Sequence, residues 1–188
     1  RAKQFLMLLR RYNPKVVLEV AIGLETVHEE LLKRLNKRVT TADFVAAAEW
    51  LRMRGMALRA FVLLRPPFLT EDEGLEWAKR TIDVAINNGA TFTALIPVRG
   101  GNGAMDVLRD AGDWAPPTLA SLEAGLRHGL GGHGGLGARF DQGGQGLVTR
   151  VLHGGQAIAL FDNVGGNAQT HEAQTDHADA WVLHVRSW

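Results

Sequence analysis

The chain has 188 residues and no cysteine, with 46% hydrophobic residues, 22% charged residues and a formal net charge of +1. The length fits one ordinary domain or a domain with an extension, and the composition allows a buried core. The absence of thiols excludes disulfide partners, thiolate nucleophiles, Cys-ligated zinc and any iron–sulfur cluster held by this chain's own sulfur. With no long apolar run and no leader-like start, the expectation is a cytoplasmic protein with no membrane partner.

Arg1 is followed by Ala2–Arg11, which reads as a helix already under way, so the chain is expected to be a fragment of something longer. Val16–Ile22 (VVLEVAI) is nearly all apolar, as a strand covered on both faces would be. Thr26 with Glu29 predicts a capping box and a helix through about Asn36. Thr40 and Thr41 with Asp43 open FVAAAEWLRMR, closed by Gly55. Leu58–Leu64 (LRAFVLL) is a second strand. Thr70 with Glu73 caps a helix ending at Asn87-Asn88-Gly89. Thr91–Val98 (TFTALIPV) is a third strand, followed by the loop Arg99-Gly100-Gly101-Asn102-Gly103. Pro116-Pro117-Thr118 starts a last helix to about His128. This alternation predicts right-handed βαβ units with three adjacent parallel strands, and functional residues at their carboxyl ends. Three such strands alone would leave two sheet edges open.

Composition breaks near Gly129. Of 22 glycines, 13 lie between Gly129 and Gly166, and no Lys, Pro or Met follows Gly129. Residues 1–80 hold 15 of the 21 basic residues against 10 acidic ones, a bias that suits either an anionic partner or mixed-sign helix faces. The chain therefore divides into a domain over residues 1–128 and a Gly/His-rich tail over 129–188. The tail has the look of a GC-rich gene read out of frame. A genuine β extension, with strands at Leu147–Leu152, Ala157–Asn163 and Ala180–Arg186, is the other reading.

Glu25 follows a buried strand by a two-residue step, so its carboxylate belongs at the mouth of the sheet. There it can accept from ribose hydroxyls, act as a base, or simply favour a helix N-terminus. Lys37 can fold back to hold a ligand anion or serve as an ordinary basic helix end. Arg65 and Arg99 are each the first polar residue after an apolar strand, positions from which guanidinium groups overlook a shared ligand space. The glycine loop lacks both the dinucleotide spacing and the Lys-Ser/Thr of a P-loop, so a phosphate cradle and a plain turn remain equal readings. His133, His153, His171, His177 and His184 show no helical ligand spacing, and no metal site is expected.

At these residues the chain resembles the radical S-adenosylmethionine (radical SAM) superfamily. Leu18–Phe44 (LEVAIGLETVHEELLKRLNKRVTTADF) is similar to the fourth strand and helix of its tRNA-modifying branch. Phe61–Thr91 and Ala94–Leu130 resemble the next two strand–helix units. The likeness is nearest to the group of the archaeosine-synthase radical SAM subunit and its bacterial relatives, akin to the elongator catalytic subunit and the methylthiotransferases. It covers roughly residues 1–130 and implies the C-terminal half of a partial (β/α) barrel; the Gly-rich tail that follows is expected to be irregular or short β. It also implies cofactor contacts: Glu25 at the ribose of S-adenosylmethionine and Lys37 near its amino-acid moiety, with Thr26 beside Glu25 in the cofactor-binding set. Leu63, Leu64, Pro97 and Val98 would line the adenine and methionine portions. Arg65, Arg99 and Asn102, by their place at the strand ends, are candidates for substrate binding.

The superfamily's Cys-x-x-x-Cys-x-x-Cys loop and Gly-Gly-Glu motif are absent from this sequence. The 4Fe–4S cluster would then belong to a longer protein, and this chain by itself would be inactive. The partner so implied is tRNA or a modified nucleoside. Two other readings stand beside it: a non-catalytic α/β interaction module, and a small α/β enzyme acting on a phosphorylated substrate.

Overall fold

The structure, a computed structural model, describes residues 2–101, 103–131, 151–153, 156–160 and 182–186. Its elements in chain order are α1 (Ala2–Tyr12), β1 (Val17–Glu25), α2 (Glu29–Arg34), α3 (Thr41–Arg52), β2 (Ala57–Leu64) and α4 (Glu71–Asn87). They continue as β3 (Phe92–Pro97), α5 (Ala104–Asp110), α6 (Leu119–Gly131), β4 (Val151–His153), β5 (Gln156–Leu160) and β6 (Val182–Arg186).

Two of the expected capping boxes form. Thr40 Oγ1 accepts from the Asp43 amide at 3.1 Å, while the Asp43 carboxylate accepts from the Thr40 amide at 3.0 Å. Thr70 and Glu73 repeat the exchange at 3.3 and 2.9 Å. Each cap satisfies otherwise orphaned amides and is worth about 1 kcal/mol. The third box does not form. β1 runs on to Glu25 rather than stopping at Ile22, which pushes the start of α2 downstream. Thr26 Oγ1 instead accepts from the His28 amide at 3.2 Å, and His28 becomes the N-cap, its Nδ1 accepting from Leu31.

The glycine loop after β3 is followed by a helix that the sequence pattern does not announce. Asp106 accepts from the Gly101 and Gly103 amides, both at 3.2 Å, and so ties the loop to the start of α5.

β1, β2 and β3 are adjacent and parallel, as expected, and form the centre of one six-stranded sheet of order β4-β5-β3-β2-β1-β6. β5 adds parallel to β3, and β6 adds antiparallel to β1. The two edges of the three-strand core, expected to be open, are therefore both paired, by short strands that overlap the spans of the β reading of the tail. Paired edges no longer offer free amides and carbonyls to another chain.

One face of the sheet carries Leu18, Val20, Ile22 and Leu24 from β1 and Leu58 and Ala60 from β2, packed with Phe44, Ala48 and Leu51 of α3. A second cluster joins Val62, Leu64 and Leu95 to Ala78, Ile82 and Ile86 of α4 and Leu126 of α6. The opposite face holds Glu19, Arg59, Phe61, Phe92 and Ala94. There Arg59 reaches Glu19 at 2.6 Å and lies over the Phe92 ring. The helices thus cover one face, while the other combines buried charge with aromatic side chains and leads to the strand ends.

Candidate ligand site at the carboxyl ends of the strands

Three local irregularities shape the end of β1. Gly23 pairs with Phe61 but Glu25 pairs with Val62, so Leu24 is the extra residue of a bulge. Bulges re-aim side chains, and this one delivers Glu25 at φ 62°, a left-handed conformation uncommon for Glu. The carboxylate folds back over Gly23, where a Cβ would lie 2.6 Å from Glu25 Oε1. Backbone strain of this kind concentrates at binding sites.

Lys37 reaches the same place through the end of α2. That helix has six residues and rises only ~9 Å, so it does not carry the chain to the far end of the sheet. Asn36 takes a φ of 54°, its amide donates to the Lys33 carbonyl at 3.0 Å, and the Lys37 amide donates to the Leu32 carbonyl at 2.9 Å. This Schellman turn reverses the chain. Lys37 Nζ then donates to Glu25 Oε1 at 3.3 Å, with the two side chains 41% and 19% exposed. A pair this exposed adds ~0–1 kcal/mol to stability. Its consequence is orientation: Lys37 holds Oε1, and Glu25 Oε2 keeps no hydrogen-bond partner among the described residues.

Glu25 and Lys37 border a cavity of about 520 Å³. Leu63 at the end of β2 and Ile96, Pro97, Val98 and Arg99 at the end of β3 form further walls, with Leu35, Pro67 and Met105. Six of the expected residues are therefore together: Glu25, Lys37, Leu63, Pro97, Val98 and Arg99. Leu35, Pro67, Ile96 and Met105 complete the wall; Pro67 lies in the Arg65-Pro66-Pro67 segment at the carboxyl end of β2, and Met105 follows the glycine loop closely.

Three expected residues stand elsewhere, and Asn102 lies outside the described residues. Thr26 is buried, its hydroxyl occupied by the His28 amide. Leu64 points into the helix-side core with Ile82 and Leu95. Arg65, at φ 51°, ion-pairs with Glu71 at 2.5 Å and donates to the Pro116 carbonyl at 2.8 Å. The indole of Trp114 donates to the Arg65 carbonyl at 3.2 Å. Arg65 thereby joins β2 to α4 and to the segment before α6, and it is not part of the cavity wall. The loop amides of Gly101 and Gly103, which would have cradled a phosphate, are taken by Asp106. Among the described residues no cluster of His, Asp or Glu is suited to a metal; His133, His171 and His177 lie outside them.

Glu71 anchors this joint. Burial alone would raise its carboxyl. Hydrogen bonds from Ser121 and from the Thr118 amide and hydroxyl, with the Arg65 guanidinium, outweigh that and hold it below its ordinary value of 4.5. A depressed carboxyl contributes stability above its unfolded value and loses it as pH falls through the folded one. The thermal stability difference between the protein and Glu71→Gln is therefore expected to be largest near neutral pH and to shrink below about pH 4.5. Melting curves across that range check it; a difference independent of pH would show that the Glu71 charge contributes nothing.

No family model matches the chain. It is similar to proteins named archaeosine synthase subunit beta. The identity is 38% over 104 residues with that of Thermococcus kodakarensis and 33% over 117 residues with that of Methanosarcina acetivorans. The matched segments cover 55% and 61% of this chain but 32% and 34% of those proteins, so the chain spans about a third of the relatives it matches. An uncharacterized protein of Methanocaldococcus jannaschii is 26% identical over 116 residues, 61% of this chain and 32% of that protein. Among the described residues no helix is long and apolar enough to cross a membrane.

Proposed function

We propose that this chain is the cofactor-holding part of a longer radical SAM enzyme that modifies a base in tRNA, and that the strand-end cavity receives S-adenosylmethionine. The observation that carries the reading is the Glu25–Lys37 pair at the rim of a cavity walled by Leu63, Pro97 and Val98. A volume of about 520 Å³ suits a ligand of nucleoside size, since small-molecule pockets run from roughly 300 to 1,000 Å³. The similarity to archaeosine synthase subunits supports tRNA as the substrate class.

In this reading Glu25 accepts from the ribose hydroxyls and Lys37 holds the carboxylate in place while offering its charge to the methionine carboxylate. The apolar walls exclude water from the adenine and the carbon chain beside the sulfonium. When bound, S-adenosylmethionine would supply the radical chemistry, with the electron for its cleavage coming from the cluster of the longer protein. This chain's residues do not fit the 4Fe–4S cluster, because none of them is a cysteine. Its ligands would come from the remainder of the longer protein.

Titration calorimetry of the longer protein with S-adenosylmethionine tests the reading. Glu25→Ala is expected to weaken binding by about 10–100-fold, the loss of one sheltered charge-assisted interaction, while the melting temperature stays nearly unchanged. Unaltered affinity with lowered stability would assign Glu25 to the backbone turn and reject the cavity as the cofactor site.

A further inference from the structure

The amino-terminal ends of the strands, opposite the cavity, carry an exposed surface that the proposed cofactor site does not use. Residues 10–18 contain Arg10, Arg11 and Lys15 and no acidic residue, and residues 49–56 contain Arg52 and Arg54 against the single acid Glu49. The fold brings the two segments together, because α1 and α3 end side by side where β1 and β2 begin. The Arg10 guanidinium lies 3.6 Å from the Cβ position of Gly55, and Arg52 lies 3.7 Å from that of Gly89 in the turn after α4. Arg10, Arg11, Lys15 and Arg52 are exposed.

Aromatic and thioether side chains are interleaved with these cations. Tyr12 is 85% exposed, Met53 65% and Trp50 38%. The Arg54 guanidinium lies 3.9 Å from the centroid of the Trp50 ring and donates to the Trp50 carbonyl at 3.0 Å, so it is held as a flat stack. Helix C-termini favour a cation or two at their carbonyl ends. They do not account for five cations from two elements, nor for a tyrosine left almost wholly in water.

We infer that this surface binds RNA, with Arg10, Arg11, Lys15 and Arg52 contacting phosphates and Tyr12 and Trp50 offering ring faces to unpaired bases. Guanidinium groups match phosphate geometry, and aromatic faces stack any base. An anionic lipid surface would be met by a continuous apolar stripe flanked by cations. α1 exposes Phe5, Met7 and Leu8 a turn or more before its end, whereas at the two helix ends themselves rings and cations alternate, which favours nucleic acid. Choosing RNA within that class rests on the proposed role in tRNA modification. The surface stands ~30 Å from the cavity, one nine-residue strand away, so an RNA held here leaves the cofactor cavity open.

The test is fluorescence anisotropy of a labelled tRNA transcript with the 188-residue chain, across a series of salt concentrations. Arg11→Ala/Lys15→Ala/Arg52→Ala is expected to raise Kd by ~10–100-fold at low salt. It should also flatten the slope of log Kd against log salt by about one for each phosphate no longer neutralised. Tyr12→Ala is expected to weaken binding by about tenfold with the slope unchanged, because stacking releases no counterions. Glu25→Ala, which tests the cavity, should leave RNA affinity intact, so the two readings fail separately. An unchanged slope in the triple variant would overturn the inference. So would binding to vesicles of phosphatidylcholine and phosphatidylserine without binding to the transcript.

Discussion

Arg59→Met is expected to lower the free energy of unfolding by about 3–5 kcal/mol. Arg59 and Glu19 are 8% and 3% exposed and meet at 2.6 Å near the amino-terminal ends of β1 and β2. Met keeps the length and packing against Phe92 but leaves the Glu19 carboxylate buried without the guanidinium. Removing one member of a buried charge pair costs far more than the intact pair contributes. The double variant Glu19→Leu/Arg59→Met removes both charges and should recover most of the loss. Urea unfolding of the three proteins gives the comparison. A single variant within about 1 kcal/mol of the parent would mean that water or another group already shields Glu19.

This charged pair also marks where the sequence is legible and where it is not. The run VVLEVAI reads as a strand because its apolar residues dominate, and the lone Glu19 does not disturb the period. Nothing in that run names Arg59 as its partner, since strand register is fixed by the sheet and not by either segment alone. Strand order, the helices capped by Thr40 and Thr70, and the placing of Glu25 at the sheet's mouth all follow from local signals. The bulge at Leu24 does not, because it exists only relative to β2.

The position of Lys37 depends on whether α2 is long or short. A helix to Asn36 would carry it away from Glu25; six residues and a left-handed Asn36 return it. Arg65 has the opposite outcome. Its place after an apolar strand is the one a ligand-binding residue would occupy, yet Glu71 and Pro116, distant in sequence, claim it. α5 is hidden in the sequence because the glycine-rich loop obscures the amide-accepting Asp106 that starts it.

Gly23→Ala should separate stability from binding with opposite signs. Gly23 lies within β1 and its φ is not in the left-handed region, so alanine can adopt its backbone without strain. In a strand interior that exchange is worth about 0.5–1 kcal/mol in favour of alanine, through the smaller entropy of the unfolded chain. The new methyl, however, would lie 2.6 Å from Glu25 Oε1 and 3.4 Å from its Cδ. Those atoms are the far end of a flexible side chain, so the carboxylate swings away and the strand stays. The displacement breaks the 3.3 Å contact with Lys37, which itself contributes little to stability. It also takes the acceptor oxygens from the cavity rim. The melting temperature is therefore expected to hold or rise slightly, while affinity for S-adenosylmethionine in the longer protein falls by about 10–100-fold, as for Glu25→Ala. A Gly23→Ala protein that melts lower and binds normally would show that the carboxylate has room to spare and that its folded-back position is not what the ligand reads.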